Sequence, residues 1–362
     1  MSQTSSQRGP ARTGPSSFQA IAEDVLVPST VLARAPLRIA LGGGGTDLPS
    51  RYRVHGGFVV SVAIDRHVRM RLAPATGGRF VLSHLEQEEV ELPDRIRHPI
   101  LRAAIARHGD GRPLKLASES DVAPGTGLGS SGAYAVCAVQ GISTIAGKRL
   151  TADELAEAAC RIELDDMGRT VGKQDQYAAA HGGINALTFA RDGAVGVRPL
   201  ALGEPVREAL RERFLLFFTG RSRSAADMLA GQVERTQAGD HALARNLGRT
   251  EELARATCAA LERGRLDALG ELMDEQWELK RERLAHVPIP AIEELRERAL
   301  EAGAHGAMLM GAGGGGYVLV YAPDPQRVRA ALDADATAEL RFDVDDHGCV
   351  AEQTGSGASS PR

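Results

Sequence analysis

The residues with the clearest chemical potential form the run Asp121-Val122-Ala123-Pro124-Gly125-Thr126-Gly127-Leu128-Gly129-Ser130-Ser131. Leu114–Ser118 before it reads as a short strand, and Ser131–Ala146 after it is an apolar, helix-compatible run. Glycines let backbone turn tightly and approach an anion closely, because no Cβ intervenes. A helix start adds unpaired N–H groups and a partial positive charge. The chemistry this suits is phosphate binding, with Pro124, Gly125, Thr126, Gly127, Leu128, Gly129, Ser130 and Ser131 as the cradle. Ser130 or Ser131 adds a hydroxyl for a phosphate or for Mg²⁺. The loop is not a Walker A sequence, since no Lys-Ser/Thr follows its last glycine, and it lacks the GxGxxG spacing of dinucleotide sites. Taken alone, it also fits a serine-capped structural turn.

Two further glycine concentrations weigh against that plainer reading. Ala35-Pro36-Leu37-Arg38 opens a strand that ends in Gly42-Gly43-Gly44-Gly45-Thr46-Asp47, and Gly311-Ala312-Gly313-Gly314-Gly315-Gly316 interrupts two apolar runs. Each glycine weakens ordinary secondary structure by about 0.5–1 kcal/mol relative to alanine. Three such concentrations imply backbone that must approach something closely.

The elements that must position these loops alternate between strand and helix patterns. Val31–Leu41, Gly57–Ile64, His67–Leu72 and Arg79–Ser83 read as strands, and Pro99–Arg107 has helical spacing. Thr151 with Glu154 forms a capping box that starts another helix. Gly182–Phe189 and Arg213–Phe218 read as strands. Helical patterning then runs from Ala225 to about Ala302, with a break near Pro288–Pro290. Ala307–Tyr321 is strand, glycines, strand, and Pro325–Leu332 is a last helix. This is an α+β pattern. We expect a disordered tail over 1–24, an N-terminal domain over 25–204, a C-terminal domain over 205–352 and a second tail over 353–362.

Composition narrows the function class. Hydrophobic residues make up 43% of the chain, enough for a real core, but aromatics are only 4%, so that core must be mainly Ala, Leu, Val and Ile. A formal net charge of −4 without a long basic run argues against a nucleic-acid partner. Cys137, Cys160, Cys258 and Cys349 lie far apart without CxxC pairs, which disfavours zinc and a disulfide framework. Cys137 and Cys160 read as small buried hydrophobes. No stretch approaches the ~18 apolar residues of a membrane span, and the first residues lack the apolar core of a signal peptide. The expectation is a cytoplasmic protein with small-molecule partners. The acidic group Asp343, Asp345, Asp346 and His347 reads as a solvated turn, His181 and His305 lack ligand spacing, and Trp277 reads as packing.

Taken together, the three glycine segments resemble the three motifs of the GHMP kinase superfamily. The first is Arg34-Ala35-Pro36-Leu37-Arg38-Ile39, the second Pro124–Ser131 and the third Met310–Gly316. The segments APLRIALGGGGTDLP, VGKQDQYAAAHGGINALTF, FFTGRSRSAADML and MGAGGGGYVLVY look most like the branch that acts on D-glycero-D-manno-heptose 7-phosphate. Galactokinases carry Gly-Glu-His-Thr-Asp where this chain has Gly43-Gly44-Gly45-Thr46-Asp47, which argues against galactose. The resemblance implies two α+β domains with ATP and substrate in the cleft between them.

It also implies roles. Asp175, in Gly172-Lys173-Gln174-Asp175-Gln176-Tyr177, matches the aspartate that serves as base or orienting carboxylate, and Arg38 matches the cation beside it. Glu163, twelve positions earlier, matches the Mg²⁺ glutamate, with Asp165 and Asp166 as competitors and Ser131 as the hydroxyl ligand. Asp47 matches a sugar-hydroxyl ligand, helped by Thr46; Gly313, Gly314 and Lys173 are further substrate-side candidates. A distal phosphate needs Arg or Lys, for which Lys173, Arg221, Arg223 and Lys280 are available. The implied reaction is phosphorylation of the anomeric hydroxyl of the heptose 7-phosphate. Another sugar or a mevalonate-like acid is the alternative acceptor, and a non-catalytic sugar or nucleotide sensor is the alternative of a different class. No feature of the sequence marks an oligomeric interface.

Overall fold

The computed structural model describes residues 30–221, 225–284, 287, 289–332 and 338–354. The expected N-terminal tail lies outside these residues, as does Arg223. No helix among the described residues is long and apolar enough to cross a membrane.

The chain opens with β1 (Thr30–Gly42), a short helix α1 (Pro49–His55) and the long strand β2 (Gly57–Pro74). The two strands pair antiparallel, with a register shift between Pro36 and Leu37. Proline has no N–H for a ladder, so a bulge is where a strand interior tolerates it. The sequence reading gave two strands here; the structure runs straight through. β2 then shares its other edge between two partners: Gly57–Val62 pairs with β6 (Ile184–Phe189), and Val68–Pro74 pairs with β5 (Leu114–Ser120). Between β2 and β6 the chain also forms β3 (Phe80–Ser83), β4 (Gln87–Val90) and the helices α2 (Pro99–His108), α3 (Ser130–Ile145), α4 (Ala152–Arg161) and α5 (Gln174–His181). The capping box at Thr151 and Glu154 is formed as expected. A π-helical turn, Ile162–Asp166, follows α4 directly.

After β7 (Val195–Pro199) and α6 (Glu204–Arg213), β8 (Phe214–Phe218) starts a second sheet. Three helices, α7 (Ala225–Gln237), α8 (His241–Glu262) and α9 (Leu266–Arg283), lead to α10 (Pro290–Glu301). Strands β9 (Gly306–Leu309) and β10 (Tyr317–Tyr321), helix α11 (Pro325–Leu332) and strand β11 (Glu339–Leu340) complete the second unit. Its sheet runs β11-β8-β10-β9, all antiparallel. The architecture is α+β in two domains, as the glycine motifs implied.

The last strand, β12 (Val350–Thr354), departs from the expected division by returning to the first sheet beside β1. Gln353 and Thr354, assigned to a tail, pair with Val31 and Thr30. The approach to this strand also corrects the solvated-turn reading. Asp343 and Asp346 pair with the surface arginines Arg211 and Arg207, but the Asp345 side chain is only 4% exposed and accepts from His347 N and Gly348 N. Its second oxygen lies 2.7 Å from His67 Nε2. The apolar core is dominated by Val, Leu, Ile and Ala, with Trp277 fully buried and Cys137, Cys160 and Cys258 buried and free.

Candidate active site

The second motif follows β5 and opens α3. Gly129 sits at the helix N-cap in the left-handed region, and Gly125 and Gly127 also have positive φ. A Cβ on Gly127 would lie 2.7 Å from Met310 O, and one on Gly316 would lie 2.3 Å from Thr126 O. Tyr317 N donates to Thr126 O, and Arg38 N donates to Leu128 O. The three glycine segments therefore converge, and part of what they approach so closely is one another. Pro124, Gly125, Gly127, Gly129, Ser130 and Ser131 line the cleft. The Thr126 and Leu128 side chains do not: the Thr126 hydroxyl donates to Ala123 O, and Leu128 is buried. Those two positions offer backbone only.

Arg38, on β1, and Asp175, on the first turn of α5, meet across the loop. Arg38 Nε donates to Asp175 Oδ1 at 2.8 Å, its second terminal nitrogen lies 2.6 Å from the same oxygen, and Nη1 donates to Gly127 O at 2.6 Å. The Arg38 side chain is buried, while Asp175 stays 28% exposed and so remains open to a reactant. Gly129 and Gly132 admit this pair to the head of α3. A Cβ on Gly129 would lie 3.1 Å from Arg38 Cγ, and one on Gly132 2.6 Å from Asp175 Cβ.

Asp47 lies in the same cleft, buried, and accepts from Gly45 N, Gln174 N and Gln174 Nε2. Burial first, and then the charge of Asp175, raise its pKa above the ordinary carboxylate value. Three substrate-side expectations are corrected. The Thr46 hydroxyl is fully buried; it lies within bonding distance of Gly43 O and Phe58 O and accepts from Phe58 N, so it braces the loop. Lys173 turns away from the cleft and binds Glu157 Oε1 at 2.7 Å and Gly193 O at 2.9 Å. Gly313 and Gly314 do not line the cleft either; a Cβ on Gly313 would strike Leu284 at 2.5 Å.

Ser131 and Glu163, paired by the family resemblance, lie together in the structure. Ser131 Oγ donates to Glu163 Oε1 at 2.6 Å, and Gln176 Nε2 donates to Glu163 Oε2 at 2.7 Å. The π-helical turn places Glu163 inward with 1% of its side chain exposed, and burial raises its pKa. Asp165 and Asp166 face outward, and Asp166 is bound by Arg107. Arg169, absent from the sequence reading, donates to Ser131 Oγ at 2.7 Å and to Glu163 Oε1 at 3.1 Å. A hydroxyl and a buried carboxylate that already hold a cationic group are an oxygen donor set suited to Mg²⁺.

The cleft encloses about 790 Å³. At its α2 end, His98 stacks on Tyr134 and meets His84 edge-on. At its other end α9 contributes Gln276, Lys280 and Arg283, whose i, i+4, i+7 spacing puts them on one helix face. Lys280 was a candidate; Gln276 and Arg283 were not, because only the fold shows which side of the helix meets the cleft. Arg221 does not line the cleft, and its carbonyl accepts from Gly316 N.

Comparison with known proteins agrees with this geometry. The model of the GHMP kinases N terminal domain matches residues 97–183, and that of the GHMP kinases C terminal matches residues 258–335. The chain is 28% identical over 310 residues to D-glycero-alpha-D-manno-heptose 7-phosphate kinase of Campylobacter jejuni, covering 82% of this chain and 91% of that protein. It is 26% identical over 347 residues to the bifunctional fucokinase/GDP-fucose pyrophosphorylase of Arabidopsis thaliana, covering 89% of this chain but 32% of that longer protein. Among solved structures, a D-glycero-D-manno-heptose 1-phosphate kinase from Bacteroides thetaiotaomicron superposes with a TM-score of 0.74 at 23% identity, covering 89% of this chain and 98% of that one. With both family models matched in order, and with the three glycine segments meeting at one cleft, the chain carries the N- and C-terminal domains of GHMP kinases, which support a phosphotransferase that uses an alcohol group as acceptor.

Proposed function

We propose that this enzyme transfers the γ-phosphoryl group of ATP to the anomeric C1 hydroxyl of D-glycero-D-manno-heptose 7-phosphate, giving the 1,7-bisphosphate. Such a product suits the biosynthesis of a nucleotide-activated heptose in the cytoplasm. The observation that carries this reading is the Arg38–Asp175 pair, packed against Gly129 at the head of the phosphate loop and sharing its cleft with Asp47. The likeness to the Campylobacter jejuni heptose 7-phosphate kinase supports the choice of acceptor.

Phosphoryl transfer depends chiefly on positioning and charge neutralisation. The loop Pro124–Ser131 and the start of α3 cradle the ATP phosphates with backbone N–H groups. Asp175 receives or orients the attacking hydroxyl, and Arg38 holds Asp175 in place while offsetting charge on the transferring group. Asp47, held by Gly45 and Gln174, binds a sugar hydroxyl. Ser131 and Glu163 would hold Mg²⁺, whose chemistry there would be to neutralise phosphate charge.

An ADP-release assay across a panel of acceptors tests the reading. Heptose 7-phosphate is expected to turn over well above unphosphorylated heptose, fucose, galactose and mevalonate. Turnover with one of the others and none with heptose 7-phosphate would overturn the acceptor. ATP binding without turnover on any acceptor would favour a sensor.

A further inference from the structure

The cleft holds two cations, Lys280 and Arg283, that make no ion pair among the described residues. Arg38 is balanced by Asp175, and Arg235 by Asp240. Arg283 makes no ion pair among the described residues; the charge of Glu282, whose carboxylate accepts from Asn246 Nδ2, acts on it, but burial outweighs that charge. Arg283 Nη1 donates to Asn246 Oδ1 at 2.6 Å and to Thr250 Oγ1 at 3.0 Å, and Nη2 reaches Gly44 O at 3.4 Å. Lys280, one turn earlier on the same face of α9, donates among the described residues to the carbonyls of Leu309 and Gly311. Two inward cations held by neutral oxygens are costly unless an anion joins them.

Gly44 gives an independent observation on the same spot. It lines the cleft, its φ is not positive, and a Cβ built on it meets no atom within 4 Å. Neither backbone strain nor packing requires glycine there. The place of a side chain at Gly44 is open space, and the carbonyl of the same residue lies 3.4 Å from Arg283 Nη2.

We infer that Arg283, braced by Asn246 and Thr250 and flanked by Lys280, forms a subsite for a phosphate monoester at the end of the acceptor remote from the reacting hydroxyl. The space over Gly44 admits the carbon chain that carries this phosphate. The inference deepens the proposed function and rests on it for the identity of the acceptor. The guanidinium fork matches a phosphate bidentately, which an ammonium does not. Burial lowers Lys280 to about 7 and Arg283 to about 10, and an arriving dianion favours the charged form of both.

Arg283→Met is the primary test, read with heptose 7-phosphate and with unphosphorylated heptose. Losing one partner of a buried charge pair leads us to expect KM for the phosphorylated sugar to rise about a hundredfold or more, with kcat within a fewfold. KM for the unphosphorylated sugar and for ATP is expected to stay unchanged. A second, substrate-free readout titrates inorganic phosphate into the full chain saturated with a non-hydrolysable ATP analogue and Mg²⁺. The parent is expected to bind phosphate competitively with the acceptor, and the variant to bind at least about tenfold more weakly. If Arg283→Met proves unstable, Gly44→Leu fills open space rather than removing a brace, and it is expected to raise KM for the phosphorylated sugar. Equal losses on both sugars, or phosphate binding indifferent to Arg283, would overturn the subsite. If another acceptor is turned over while phosphate still binds through Arg283, the proposed function fails and the subsite stands. A mevalonate-type acid that depends on Arg283, with inorganic phosphate not binding, would assign the cation to a carboxylate and reject the phosphate.

Discussion

Asp175 takes both of its short contacts with Arg38 through one oxygen, which leaves its other oxygen for a reactant. Asp175→Asn keeps the shape and removes the charge, so kcat is expected to fall by about 10²–10⁴-fold with KM for ATP unchanged. Near-full turnover would remove the assigned role. Gln176 acts one shell out, by bonding Glu163 Oε2 in the interior. Loss of such a supporting bond weakens metal sites by about 10–100-fold, so Gln176→Leu should loosen Mn²⁺ binding by that factor in a direct titration. Unchanged Mn²⁺ affinity would separate Gln176 from the metal. The family resemblance carried by the glycine segments, rather than spacing alone, put forward Arg38, Asp175, Ser131, Glu163 and Asp47, and their roles remain part of the proposal. Thr46 and Lys173 were misplaced because a linear neighbour of a site residue can point either way: Lys173, two residues before Asp175, caps a different ion pair. Arg169 left no mark in the sequence beyond being one arginine among many.

At the scale of elements, the cleft's α2 end depends on one buried carboxylate. Glu88 on β4 has 2% of its side chain exposed and accepts from Arg97 N and His98 N while pairing with His84 Nε2. Burial raises its pKa, but these donors outweigh burial and lower it to about 2. Burial, and then the charge of His84, lower His98 to about 4. The neutral form suits His98, because its Nδ1 accepts from Leu101 N at the start of α2. Both folded values lie below the unfolded ones, so protonation favours the unfolded chain in each case. Stability from His98 is complete above pH 6.5 and is lost as pH falls toward about 4; that from Glu88 is complete above 4.5 and is lost toward about 2. The melting temperature should therefore decline in two overlapping stages on acidification. Glu88→Gln should lower it at neutral pH and flatten the lower stage, and a parent-like acid profile in that variant would disprove the assignment. β4 itself escaped the sequence reading, since QEEV is short and mostly polar, whereas Pro99–Arg107 read as a helix from its spacing and the structure extends it to His108.

At the scale of the whole molecule, the described part of the chain closes in the sheet where it begins. That closure was hidden because VAEQT is half polar and largely exposed, so nothing in its alternation separates an edge strand from a tail. The acidic residues before it looked solvated for a similar reason: only the fold reveals that Asp345 is buried while Asp343 and Asp346 are not. Asp345 is the hinge pin of the return. Its side chain binds His67 on β2 and caps the turn at His347 and Gly348. Its backbone pairs with Ala63 O and Gly183 N, which joins the approach to β12 to the strands under the catalytic cleft. Asp345→Ala leaves two backbone donors and His67 without their acceptor, and each buried unpaired group costs about 1–3 kcal/mol. The variant should lose several degrees in melting temperature. Because Asp345 lies outside the cleft lining, kcat and both KM values should remain close to parental at low temperature. If instead activity falls while melting is unchanged, the return strand is not a stabilising clasp, and its tie to β2 must act on the geometry of the site.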